Sequence, residues 1–322
     1  MQDKHGRSIG YLRLSITQQC PMACTYCRPV GYKPCASARS LTPEQIIQMV
    51  SHLSTQHGVS KVRLTGGEPS AHPQLLQIMS GISQIETVTD LAMTTGGLTL
   101  ARCAEDYVHA GLSRVNVSLD SLNAQMFKKM TGVDGLDHVL RGIDTASEIG
   151  LSPLKLNTVV LRGHNDDELP ELVRFAAEKG VPIRFIELMP MGPLAEQWTK
   201  LYVSAGEMRI RLDRVVQEWL PRSQGADSAE MFDVVLEDGL RGQVGFITPM
   251  SCNFCADCNR LRITSDGSVY PCLMDNPRGS VMAAFDPMFD TVRFDTILHD
   301  CMAVKAPEHP TIGLNVMTSI GG

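Results

Sequence analysis

The sequence predicts an α/β fold: a partial (β/α)6 TIM-type barrel closed by a smaller C-terminal region that contains a β-hairpin. Six short β-type runs alternate with helical patterns between residues 11 and 188. Such an order requires parallel strands joined by right-handed crossovers. The alternation then stops near residue 220, where a hairpin pattern begins.

The first strand, Tyr11–Ile16, sets Leu12, Leu14 and Ile16 on one face. Thr42 ahead of Pro43 is a helix start, and Ile46, Ile47, Val50 and Leu53 recur on one helical face behind it. Lys61–Thr65 and Thr87–Thr94 are the next two strands, and a helical pattern over 98–110 leads into the strand Arg114–Leu119. Patterns over 135–149 and 166–179 flank the strand Lys155–Leu161, and Pro182–Leu188 is the sixth strand. A helix is expected over 204–219. Phe232–Leu236, Asp238-Gly239 and Gln243–Ile247 then read as two strands and their turn. The expected division is residues 1–220 for the barrel and 221–322 for the C-terminal region.

The chain has 322 residues, 43% hydrophobic and 20% charged, the balance of an ordinary globular protein rather than a disordered or fibrous one. Its formal net charge of −6 argues against a surface built for nucleic acid or anionic lipid. The polar N-terminus and the lack of a long apolar run predict a cytoplasmic location. Ten cysteines are many for a reducing compartment unless some bind metal.

Cys20, Cys24 and Cys27 follow the first strand as Cys-x3-Cys-x2-Cys. A structural zinc normally takes four protein ligands, whereas three thiolates on a [4Fe-4S] cluster leave one iron open to a small molecule. Cys255, Cys258 and Cys272 form a second triplet, and taken alone these three with Cys252 also fit a four-thiolate zinc ribbon.

Strand parity gives an independent signal. Arg13 and Ser15 oppose Leu12 and Leu14; Lys61, Arg63 and Thr65 oppose Val62 and Leu64; Arg114, Asn116 and Ser118 oppose Val115 and Val117; Lys155 and Asn157 oppose Leu154 and Leu156. In a barrel the apolar parity faces the helices, so the polar one faces the lumen, where unpaired cations are costly unless an anion meets them. Arg260 and Arg262 share a parity beside the second triplet, and a triphosphate fits this pattern. For any single residue, pairing with a carboxylate or emergence at a strand end explains the charge equally well.

The first triplet, with Tyr26 before its last cysteine, and Gly66-Gly67-Glu68-Pro69 after the second strand resemble the radical S-adenosylmethionine (SAM) superfamily. Phe246-Ile247-Thr248-Pro249, the stretch from Phe254 to Arg262, Asp266-Gly267, Pro271-Cys272-Leu273, Leu12-Arg13-Leu14-Ser15, the stretch from Arg114 to Leu122, Asn165-Asp166-Asp167-Glu168, Arg184-Phe185-Ile186-Glu187 and the closing Gly321-Gly322 narrow it. They resemble the GTP 3′,8-cyclases of molybdenum-cofactor biosynthesis, known as MoaA. The resemblance implies a SAM-binding [4Fe-4S] cluster on Cys20, Cys24 and Cys27 and a substrate-binding one on Cys255, Cys258 and Cys272. It implies SAM contacts from Tyr26, Gly66, Gly67, Ser118 and Met189, with Glu68 as acceptor for the SAM ammonium. Toward GTP it implies Arg13, Lys61, Arg63, Thr94, Lys155, Arg184, Arg260, Leu261 and Arg262, with Gly321 and Gly322 reaching back to the site. Parity ranks Arg184 lower, because Met189 falls on the opposite face of an unbroken strand.

The implied reaction converts GTP to 3′,8-cyclo-7,8-dihydro-GTP, with a flavodoxin or ferredoxin as electron donor and hand-off to cyclic pyranopterin monophosphate synthase; a homodimer is left open. Two departures stand out: Gln18-Gln19 where the family has Asp-Arg, and Gly96 where it has Asn. The alternatives are a twin-cluster radical enzyme acting on a peptide or another small molecule, and a non-catalytic metal-binding module. Cys35, Cys103 and Cys301 are expected to be ordinary thiols, and the nine histidines to form no ligand cluster.

Overall fold

The computed structural model describes residues 1–29, 31–32, 39–222, 228–313 and 317–321. Cys35 and Gly322 lie outside the described residues. The strands are β1 Tyr11–Ser15, β2 Lys61–Thr65, β3 Asp90–Thr95, β4 Arg114–Ser118, β5 Leu154–Val160, β6 Ile183–Glu187, β7 Val216–Pro221, β8 Ala229–Leu236, β9 Arg241–Ile247, β10 Arg260–Ile263 and β11 Val269–Tyr270. The helices are α1 Pro43–His57, α2 Leu75–Ser83, α3 Leu100–His109, α4 Ala124–Thr131, α5 Leu136–Glu148, α6 Leu169–Glu178, α7 Trp198–Leu201, α8 Ala205–Leu212, α9 Thr291–Ala303 and α10 Met317–Ile320.

Among the described residues the strands form one sheet in the order β11-β10-β1-β2-β3-β4-β5-β6-β9-β8-β7. β1 to β6 run parallel to their neighbours, as expected for a partial (β/α)6 barrel. The C-terminal region extends the array at both edges, β10 pairing parallel to β1 and β9 parallel to β6. The hairpin β8–β9 is therefore part of the barrel sheet.

Local chemistry explains the helix positions. Thr42 closes a capping box with Gln45 at the start of α1, and Ile46, Met49, Val50 and Leu53 turn inward. Each such buried side chain contributes about 1.5–3 kcal/mol. Leu12, Leu14, Val62 and Leu64 meet that face from the sheet, all fully buried in the same core. The helices α2, α4 and α9 were not anticipated, although Leu75, Ile78, Met79 and Ile82 carry the required spacing in α2.

The helix expected over 204–219 ends at Leu212, and β7 follows. β7 is an edge strand, largely exposed beyond Val216 and pairing only with β8, so its solvent side carries polar residues that blur the period-2 signal. The expected division at 220/221 falls inside this strand.

Candidate active site between two cysteine loops

The first cysteine loop follows the end of β1, whereas Cys255 and Cys258 immediately precede β10. Because β10 runs parallel to β1 with Tyr11 level with Arg260, the two loops lie at opposite ends of adjacent strands. The polar rows of the sheet lie between them.

Register aligns those rows. Arg13 on β1 is level with Arg262 on β10 and Arg63 on β2, so three guanidiniums rise from neighbouring strands about 4.8 Å apart. Further along, Ser15 pairs with Thr65, and Thr94, Asn116 and Lys155 form a second row across β3, β4 and β5. Ser118, Asn157 and Arg184 form a third, and the Arg184 Nε donates to Asn157 Oδ1 at 2.9 Å.

The charges in the first row are not compensated by carboxylates. Among the described residues, Arg13, Arg63, Arg260 and Arg262 form no ion pair with an acid. Arg63 donates to the Tyr11 hydroxyl and to Thr94 Oγ1 (3.3 Å), and Arg262 donates to the carbonyl of Gly321. The Nε atoms of Arg13 and Arg260 and the hydroxyls of Ser15, Thr25 and Thr65 are buried with no hydrogen-bond partner in the protein. Burial, with repulsion from Arg13 and Arg114, pushes the Arg63 guanidinium down to about 10 despite the help of Tyr11. Burial and mutual repulsion also lower Arg13 and Arg262. Clustered buried cations with unused donors fit a polyanion. Arg114 obeys the bland alternative instead, forming a bidentate pair with Asp90.

Tyr11 was missed, though it shares the parity of Arg13. Burial raises its phenol, but Arg13, Arg63 and Arg114 outweigh this and leave it below its ordinary value. Two expected GTP contacts are placed differently. The Leu261 side chain is fully buried in the apolar core, on the other face of β10 from Arg260 and Arg262, as strand alternation demands. Lys61 is exposed at the start of β2, bordering a cavity with Met1, Ser8, His57 and Asn259 rather than joining the buried arginines.

The first loop is clamped by protein donors. Arg28, which sequence reasoning passed over, donates to the carbonyls of Cys20 (2.9 Å) and Met22 (3.1 Å). Ala23 N and Thr25 N donate to Thr131 O and Met130 O at the end of α4. Gly67 N donates to Thr17 O at 2.7 Å and Glu68 N to Gln19 O at 2.8 Å, so the glycine pair zips β2 to the cysteine loop. A Cβ on Gly66 would lie 2.4 Å from Thr17 O, and one on Gly67 would lie 2.4 Å from Gln19 O. Only glycine permits that approach.

The Glu68 carboxylate accepts from Thr95 Oγ1 (2.7 Å), Gly96 N (2.6 Å) and Ser70 N (3.1 Å), so it braces the ends of β2 and β3 while its Oε2 retains a lone pair for a further donor. Gly96 has a local reason as well: a Cβ there would stand 2.7 Å from the Met22 sulfur. Tyr26 is committed through its hydroxyl to Asp120 Oδ2 at 2.7 Å, and burial pushes Asp120 up to about 6. β6 ends at Glu187, so Met189 lies beyond the strand and parity no longer sets it against Arg184. Met189 and Cys272 each pack against the cluster of Met191, Tyr270, Met274 and Ile320.

At the second triplet, burial raises the Cys258 thiol, but Lys305 and Arg260 outweigh it and bring it below its ordinary value. Burial lifts Cys20 to about 11 and raises Cys24 and Cys255. Lys305, another missed residue, is 3% exposed and donates to the carbonyls of Arg260 (3.1 Å) and Pro271. Cys252 is exposed. Among the described residues the one set of three His, Cys, Asp or Glu ligand atoms within 4.8 Å of one another is His52, His57 and Asp295. Four thiolates on tetrahedral zinc stand about 3.8 Å apart, whereas in neither triplet do all three sulfurs lie within 4.8 Å of one another; three cysteines suit a [4Fe-4S] cluster that leaves one iron open. Gly321 is buried at φ 73°, where a Cβ would fall 2.2 Å from Thr65 Oγ1, beside Gly66.

Residues 14–176 match the Radical SAM superfamily, and residues 181–311 match Molybdenum Cofactor Synthesis C. The GTP 3′,8-cyclase of Clostridium acetobutylicum is 39% identical over 86% of this chain and 85% of its own length. That of Petrotoga mobilis is 42% identical over 85% of this chain and 84% of its own. Among solved structures, Streptococcus suis SuiB bound to S-adenosylmethionine superposes with a TM-score of 0.61 at 14% identity, covering 89% of this chain and 67% of SuiB, a likeness of fold. The two matched regions, the two cysteine loops and the relatives agree: this chain belongs to the GTP 3′,8-cyclase family of the radical SAM superfamily.

Proposed function

We propose that the chain converts GTP to 3′,8-cyclo-7,8-dihydro-GTP in the first step of molybdenum-cofactor biosynthesis, using SAM and two [4Fe-4S] clusters. The observation that supports this reading is the row of buried Arg262, half-buried Arg13 and buried Arg63, level across three strands and, among the described residues, without carboxylate partners. Cys20, Cys24 and Cys27 would hold the SAM-binding cluster, and Cys255, Cys258 and Cys272 the one at the substrate. When bound, the reduced first cluster and SAM would supply the radical chemistry that removes hydrogen from ribose C3′ so that C3′ can bond guanine C8, with one further electron and one proton from the reductant and solvent completing the 7,8-dihydro product.

This chain's residues would position and shield that chemistry. Arg13, Arg63, Arg260 and Arg262 would neutralise the triphosphate, with Thr94 and Lys155 in the next row and Arg184 beyond it. Tyr26, Gly66, Gly67, Ser118 and Met189 would border SAM, and Gly321 would close the cavity beside Gly66. We also place the protein in the cytoplasm, with a flavodoxin- or ferredoxin-type donor and transfer of product to cyclic pyranopterin monophosphate synthase. Among the described residues no helix is long and apolar enough to cross a membrane.

The test is anaerobic reconstitution with iron and sulfide, then incubation with SAM, reductant and GTP. The reading requires 5′-deoxyadenosine and a cyclised guanine product together. Deoxyadenosine formed at the same rate without GTP would point to another substrate.

A further inference from the structure

The histidines were expected to form no ligand cluster, yet the fold assembles one outside the arginine rows, between α1 and α9. His52 and His57 project from the last turns of α1, and Asp295 meets them from α9. His52 Nε2 and His57 Nε2 lie 2.8 and 2.6 Å from the same oxygen, Asp295 Oδ1. The histidine side chains are only 13% and 11% exposed, and Asp295 is 33% exposed, which leaves one side open to solvent. The ring edges of Phe289 and Phe294 pack about His52, and the His299 ring centroid lies 6.3 Å from that of His57.

We propose that His52, His57 and Asp295 form a divalent transition-metal site, suited to zinc, that staples α1 of the barrel to α9 of the C-terminal region. Two imidazoles and a carboxylate are borderline donors that suit this ion class, and their number leaves a position for water or His299. Bonds of about 2.1 Å at tetrahedral angles set donor atoms about 3.4 Å apart, so the N···O separations must open by roughly 0.6–0.8 Å, within reach of small side-chain rotations. The contact also spans most of the chain, so an ion there would restrain how α9 and its flanking segments sit on the barrel. This proposal does not depend on which substrate the lumen takes.

The experiment titrates zinc, against a fluorescent chelator, into holoenzyme with both clusters loaded, and follows thermal unfolding in parallel. Wild type is expected to bind one zinc beyond its clusters and to melt higher with it. Asp295→Asn keeps an acceptor oxygen but loses the ligand charge, and His57→Gln keeps a side-chain N–H; each is expected to weaken that zinc more than ~10-fold. Both variants should retain their cluster iron and their zinc-free melting temperature to within a few degrees. Zinc that binds the variants as tightly as wild type, or no zinc beyond the clusters, overturns the proposal.

Discussion

Arg13 sets the electrostatic terms of the lumen: it is half-buried, level with two further arginines, and its buried Nε has no partner in the protein. Gly321 is specified both by space and by angle, since an added methyl would collide with Thr65 at a backbone angle that L side chains rarely adopt. Gly321→Ala is expected to keep full iron content while turnover of GTP falls on the order of 10- to 100-fold, as a small displacement at a positioned substrate can cost. Unchanged turnover would remove the tail from the site. Asp120 gives a pH signature. Its folded value near 6 lies above its ordinary 3.8, so its contribution to stability is present below pH 4 and is lost as pH rises through 6, by about 3 kcal/mol. Urea unfolding of iron-free Asp120→Asn should match wild type near pH 4 and exceed it above pH 6, because an amide can still accept from Val159 N–H and donate to Tyr26. A difference independent of pH would refute this.

At the scale of elements, Glu187 at the end of β6 governs the approach to the second cysteine loop. This 1% exposed carboxylate accepts from Met250 N (3.0 Å), Ser251 N (2.9 Å), the Ser251 hydroxyl, Tyr202 Oη (3.1 Å) and Ala205 N (2.9 Å). It ties β6 both to α8 and to the segment that leads to Cys255. Glu187→Gln replaces one acceptor oxygen with a donor that faces other donors, at a cost of about 2 kcal/mol. The expected result is a lower unfolding midpoint and iron loss from the second triplet before the first, followed by metal analysis of single-triplet variants. Gly66 and Gly67 act on the first loop in the same way, through backbone contact rather than side chains.

Across the whole molecule, the C-terminal region adds β10 to one edge of the six-stranded array and β9 to the other. It thereby sets Arg260 and Arg262 beside Arg13, a row that no single segment contains. Much of this was readable because parallel strands declare themselves by period: the expected strands at 61–65 and 114–119 are β2 and β4 to within a residue, and the polar parity marked Arg13 and Arg63. What was not readable depended on partners distant in sequence. Leu261 was legible from the parity of Arg260 and Arg262, but Lys305, Glu187 and the His52–His57–Asp295 group acquire meaning only through residues distant in sequence. The first part of the edge strand β7 was read as the end of a helix because most of its side chains face solvent and show no alternation.

The central claim is that these convergent arginines form a site for the triphosphate of GTP. The most direct measurement compares binding of GTP and guanosine to anaerobically reconstituted protein, in wild type and in Arg13→Ala and Arg260→Ala. Each charge-assisted contact is worth about 1.5–3 kcal/mol, so each variant should lose roughly 10- to 100-fold in GTP affinity while iron content stays unchanged. Guanosine should bind wild type far more weakly than GTP. Equal binding of guanosine and GTP, or variants that bind GTP as wild type does, would contradict the account.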